Sequence, residues 1–119
     1  NAYSIENKIL LKINNDIITS VDIQNEVNYL KTLNPNIKKL KLKKITQISK
    51  NSLVREKIKY SELSKYLDEI KVDPEYLDLV IRDTYLRLNL NSYEDFINYL
   101  KLNNIEMNTI KNKIKIEIS

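Results

Sequence analysis

No glycine occurs in this 119-residue chain. Glycine takes positive φ most readily, and asparagine and aspartate tolerate it next best. Every sharp turn therefore falls to those two residues. Asn14-Asn15-Asp16, Asn34-Pro35-Asn36, Asn89–Asn91 and Asn103-Asn104 punctuate the sequence. The same absence removes every glycine-dependent phosphate loop, both the P-loop and the dinucleotide fingerprint.

Between the punctuation marks, apolar spacing assigns the elements. Residues 5–13 alternate, with Ile9, Leu11 and Ile13 at period two around Lys8 and Lys12, which predicts a strand. Asn14-Asn15-Asp16 makes the turn and Ile17-Ile18 a short return strand. Thr19 or Ser20 then caps a helix, and Thr19-x-x-Asp22 reads as a capping box with Asp in place of Glu. Ile23, Val27 and Leu30 share one face of that helix, which ends near Leu33.

Residues 38–71 read as a long helix or two abutting ones. Its stripe runs through Ile45, Ile48, Val54, Ile58, Leu63, Tyr66, Leu67 and Ile70, and the weak propensity of Lys50-Asn51-Ser52 marks a place for a bend. Asp73-Pro74-Glu75 combines a cap, a proline at the first helical position and an acid in the first turn. That helix runs to about Leu88 on a face of Leu77, Val80, Ile81, Thr84 and Leu88. Ser92 caps a short helix carrying Tyr93, Phe96, Ile97 and Leu100.

From Asn108 or Thr109 onward the pattern is ambiguous. Ile110 and Ile114 fit a helix, whereas Ile114, Ile116 and Ile118 alternate like a strand. Helix is favoured because no turn signal intervenes. The expected fold class is mostly α, an N-terminal β-hairpin followed by about five helices in a single domain over residues 1–119.

Composition narrows the function. The chain is 42% hydrophobic and 30% charged, which is enough to bury a core. No apolar run approaches the ~20 residues of a membrane span, so no membrane insertion is expected. With neither histidine nor cysteine, the common zinc sites and the Ser-His and Cys-His nucleophile pairs are excluded. Carboxylate, lysine, tyrosine and arginine chemistry remains, and no spacing singles out such a group. The chain is expected to be no enzyme and to hold no metal or other cofactor.

The net charge of +4 invites a nucleic-acid partner. Excess Lys, Asn, Ile and Tyr together look like an AT-rich coding bias. Arginine, favoured in phosphate and base readers, is limited to Arg55, Arg82 and Arg87. No nucleic-acid partner is therefore expected.

Four features compete for a role. The run Lys38–Lys44, KKLKLKK, is either a surface for an anionic partner or a solvated loop and helix start with Leu40 and Leu42 tucked inward. Asp68, Glu69, Asp73, Glu75 and Asp78 cluster as a conceivable oxygen-ligand site, but match no Ca²⁺ loop, and capping explains Asp73 and Glu75. Leu79, Leu86 and Leu90 form a second apolar line opposite the main face of the Asp-Pro helix, so that helix is either sandwiched or exposes a surface for apolar segments. Tyr85, Tyr93 and Tyr99 are core-rim residues or amphipathic grips beside that line. Leu79, Leu86, Leu90, Tyr85, Tyr93 and Tyr99 are thus the candidate peptide-binding set.

Three blocks carry a family resemblance. The first is LLKINNDIITSVDI, where Ile13, Asn14, Asn15, Ile17, Ile18, Thr19 and Asp22 match a strand, an Asn-rich turn and an acidic helix start. The second covers residues 53–81, with Ile70, Val72, Asp73 and Glu75 at the step between helices. The third covers residues 90–118, with Asn104 where glycine is common; Asp16 replaces another frequent glycine. This order resembles the N-terminal domain of SurA-like periplasmic chaperones and parvulin-type foldases.

The resemblance implies a periplasmic, ATP-independent chaperone domain for unfolded outer-membrane-type polypeptides. It implies a fragment of a longer protein whose isomerase chemistry, if any, belongs to a separate parvulin domain absent from this chain. It also implies an uncovered apolar groove and an open hairpin edge, hence a homodimer. The alternative is a basic helical module that binds nucleic acid or an anionic surface through Lys38–Lys44.

Overall fold

The structure, a computed structural model, describes residues 7–13, 15–66 and 71–119. Asn14 of the expected turn, Leu67 and Ile70 of the expected stripe, and Asp68 and Glu69 of the acidic cluster lie outside the described residues.

Strands β1 (Ile9–Ile13) and β2 (Asp16–Thr19) pair antiparallel as a hairpin. The register slips between Ile9 and Leu11, leaving Leu10 as a bulge. Alternation therefore holds for Leu11 and Ile13, which pack inward, while Ile9 is exposed. Lys57 holds the turn through Asp16 at 3.4 Å.

Helix α1 (Ser20–Leu33) opens on the expected box: Thr19 Oγ1 accepts from Asp22 N at 3.2 Å, and Asp22 Oδ2 accepts from Thr19 N at 2.9 Å. Asp73 caps α3 (Pro74–Arg87) and Ser92 caps α4 (Tyr93–Leu102), both as the sequence predicts. Helix α5 (Met107–Ile118) starts slightly early, after Glu106, and remains helical through the Ile114/Ile116/Ile118 alternation.

The region expected to be helical from residue 38 is different. Pro35–Lys39 forms a 3₁₀ turn, and Leu40 and Lys41 are extended. Helix α2 (Leu42–Leu63) follows and ends in a 3₁₀ turn over Ser64–Tyr66. It runs unbroken through Lys50-Asn51-Ser52, because Ser49 and Leu53 are buried on one side and Gln47 donates to Asn51 one turn on. Leu40 and Leu42 do not tuck inward; they are 43% and 66% exposed. Ile37 and Ile45 take the buried places, and the extended link carries both leucines outside.

Two helices end on asparagine in the left-handed region, Asn89 at φ 61° and Asn104 at φ 60°. Each closes a Schellman motif. Leu90 N donates to Tyr85 O and Asn89 N to Leu86 O; Ile105 N donates to Leu100 O and Asn104 N to Lys101 O. These are the positions where a glycine would ordinarily stand.

The apolar interior has two centres. Leu77, Ile81, Phe96, Leu100, Ile105, Ile110 and Ile114 join α3, α4 and α5. Ile18, Ile23 and Leu53 join the hairpin, α1 and α2. Helix α1 belongs to both, since Tyr29 and Leu33 pack on the first centre. Polar links fasten the halves: Tyr99 Oη donates to Thr32 O at 2.6 Å and Asn28 Nδ2 to Asn103 O at 2.8 Å.

Candidate functional site

The most constrained side chains lie where α1, α2 and α5 meet. Glu26 faces inward from α1 and is only 2% exposed. A carboxylate so placed must be paired, because burying an unpaired charge costs several kcal/mol. Ser52 Oγ donates to Glu26 Oε2 at 2.8 Å, and Lys113 Nζ donates to Oε1 at 2.8 Å. Lys113 also reaches Glu56 Oε2 at 2.7 Å and lies 4.6 Å from the centroid of the Tyr29 ring.

Burial works to lower the Lys113 pKa, but hydrogen bonds and charge from Glu26 and Glu56 prevail and raise it. Burial, then the charges of Glu26, Glu117 and Glu56, push the Tyr29 phenol well above its ordinary range. Lysine thus stays charged and tyrosine stays neutral. Lys113, Glu26 and Glu56 hold one another, so the cluster is a polar clamp across three helices.

Above this clamp opens a cleft of about 470 Å³, lined by Leu30, Leu33 and Ile116 with Arg55 and Lys59. Lys59 Nζ donates to the Glu117 carbonyl oxygen and so ties α2 to the end of α5. A second groove of about 710 Å³ runs between the end of α1, the Pro35 turn, α3 and α5. Tyr76, Val80, Leu88 and Ile118 give it an apolar wall, and Asn36, Thr84 and Arg87 give it polar groups. Both hollows are lined by Tyr29, Leu33, Asn34 and Glu117, so they adjoin as one trough.

The sequence-predicted set divides. Leu79 and Leu86 are exposed on α3, at 46% and 50%. Leu86 borders a shallow hollow with Val80, Asp83 and Arg87, and Val80 and Arg87 also line the trough. Leu90 does not continue their line. The helix ends at Arg87 and the Schellman turn swings Leu90 back onto the core.

Tyr85 also packs on the core, 6.0 Å from Phe96 between ring centroids. Tyr99 is committed to Thr32, and burial raises its pKa. Tyr93 is exposed at the start of α4, with Lys111 Nζ 5.5 Å from its ring. Of the six residues, Leu86 alone adjoins the trough.

The trough residues missed in the sequence are Tyr29, Leu33, Tyr76, Val80 and Ile118. Tyr29 and Leu33, four apart on α1, carried a signal as a second apolar pair beside Ile23, Val27 and Leu30. Among the described residues, no group of three or more Asp and Glu side chains converges as a metal site, and no helix is long and apolar enough to cross a membrane. No known protein family, curated protein or solved structure matches the chain.

Proposed function

We propose that this domain is an ATP-independent chaperone domain that holds extended, apolar segments of unfolded polypeptides in the trough formed by α1, α2, α3 and α5. The observation carrying this reading is the pair of adjoining hollows that combine an apolar wall with the polar side chains of Asn34, Asn36, Thr84 and Arg87. Such a surface binds many sequences weakly, because apolar contact is non-directional and the polar groups meet main-chain atoms that every peptide has. The exposed Leu86 extends the apolar area beyond the trough.

The resemblance to SurA-like proteins supplies the outer-membrane-type client, the periplasmic location and a parvulin-type parent. A second copy of the chain is a further partner under this reading, through the hairpin edge or the trough. A strictly monomeric mass by light scattering at high concentration would exclude that dimer.

The experiment is peptide binding by fluorescence anisotropy, alongside suppression of aggregation of an unfolded outer-membrane protein. Tyr76→Lys and Leu86→Lys are expected to weaken peptide binding about fivefold each, since each removes roughly 1 kcal/mol of partly exposed apolar contact. Leu102→Ser, at an exposed site away from the trough, is expected to change nothing. No binding by the folded wild-type domain, and no effect on aggregation at several-fold molar excess, would sink the reading.

A further inference from the structure

The run Lys38–Lys44, from the end of the Pro35 turn into the first turn of α2, lines neither hollow of the trough. Between Glu26 and Glu56 the chain has no acidic residue, while Lys31, Lys38, Lys39, Lys41, Lys43, Lys44, Lys50 and Arg55 all fall there. Lys38, Lys39, Lys41, Lys43 and Lys44 are exposed, and among the described residues none is ion-paired. Leu40 and Leu42 stand exposed among them. Five lysines set around two water-facing leucines combine opposite solubilities in one short segment.

We propose that residues 38–44 dock the domain on an anionic lipid bilayer. Lysines at the headgroup level meet lipid phosphates, and each adds attraction that falls off within a Debye length. Leu40 and Leu42 enter the boundary between headgroups and acyl chains, where their exposed surface leaves water. The leucines decide between an anionic lipid and a nucleic acid. A phosphate backbone offers them nothing to bury against, and the stretch has neither arginine nor an aromatic ring for base contacts. Asn34, Pro35 and Asn36, which line the trough, precede this segment in sequence with only Ile37 between. The inference stands independently of the polypeptide-binding reading.

Co-sedimentation with vesicles tests it. Phosphatidylcholine vesicles with added phosphatidylglycerol are expected to bind the domain; phosphatidylcholine alone is not. The triple variant Lys41→Gln/Lys43→Gln/Lys44→Gln is expected to lower partitioning about a hundredfold, roughly fivefold per lysine. Leu40→Ser/Leu42→Ser is expected to lower it about tenfold and to leave the remainder abolished by physiological salt.

All five substituted side chains are exposed, and unchanged circular dichroism checks each fold. Wild-type domain that ignores anionic vesicles at low salt overturns the proposal. So does a tighter association with duplex DNA than with vesicles at matched salt, unaffected by the leucine substitutions.

Discussion

Lys113 Nζ lies 2.8 Å from Glu26 Oε1 and joins α5 to α1 across 87 positions of sequence. The same ammonium holds Glu56 on α2. Three helices therefore depend on one charge, and removing it strands a carboxylate that is almost wholly buried. Lys113→Met is expected to cost about 3–5 kcal/mol in urea unfolding. Glu26→Gln in the Lys113→Met background is expected to recover most of that loss, because it removes the stranded charge. Equal destabilisation by the single and double variants would show that the buried charge is not what matters.

Alkali attacks the same place. The folded-state pKa values of Lys113 and Tyr29 both lie above their unfolded values. The folded state therefore holds more protons than the unfolded state as pH climbs past the unfolded values. Stability from both groups is fully present below about pH 10 and is lost as pH rises toward the folded values. The urea midpoint is expected to hold steady from neutrality and then fall above about pH 10. Tyr29→Phe, which cannot ionise, is expected to flatten part of that fall. A wild-type midpoint unchanged through this alkaline range contradicts the assignment.

Local signals were legible and distant ones were not. Thr19/Asp22, Asp73-Pro74 and Ser92 announce their helix starts because a cap is a short-range contract between a side chain and the next turn. The hairpin and the five helices follow from such signals and from apolar spacing. Leu90 leaves the line of Leu79 and Leu86 because a helical wheel assumes that the helix continues, and Asn89 ends it. Leu40 and Leu42 stay outside because Ile37 and Ile45 take the interior, a competition that packing settles and spacing does not. Glu26, Glu56 and Lys113 look like ordinary solvated charges in sequence. Only tertiary proximity turns them into a clamp, and the trough above it is a property of α1, α2, α3 and α5 at once.

The glycine-free turns make a sharp test. Asn104 holds φ 60° while Ile105 N and Asn104 N return to the last carbonyls of α4. A Cβ without a compensating polar group pays about 1 kcal/mol there. Asn104→Ala is expected to lower stability by about that amount, whereas Asn104→Gly is expected to be neutral or slightly stabilising, since glycine takes this conformation freely. Thermal melts of the three proteins compare them directly. If alanine and glycine behave alike, the left-handed conformation is not what the position requires.

Ser49 sits fully buried on α2, and its hydroxyl has no hydrogen-bond partner among the described residues. An unsatisfied buried hydroxyl costs about 1–3 kcal/mol relative to its hydrated state. Alanine removes the oxygen, leaves the β-carbon in place and favours the helix. Ser49→Ala is therefore expected to raise stability by about 1 kcal/mol. Ser49→Leu is expected to lower it by about 1–3 kcal/mol through overpacking, since the side chain is already fully buried. Urea denaturation of both variants separates the two effects. A destabilised alanine variant would mean that the hydroxyl does find a partner, and that α2 needs it.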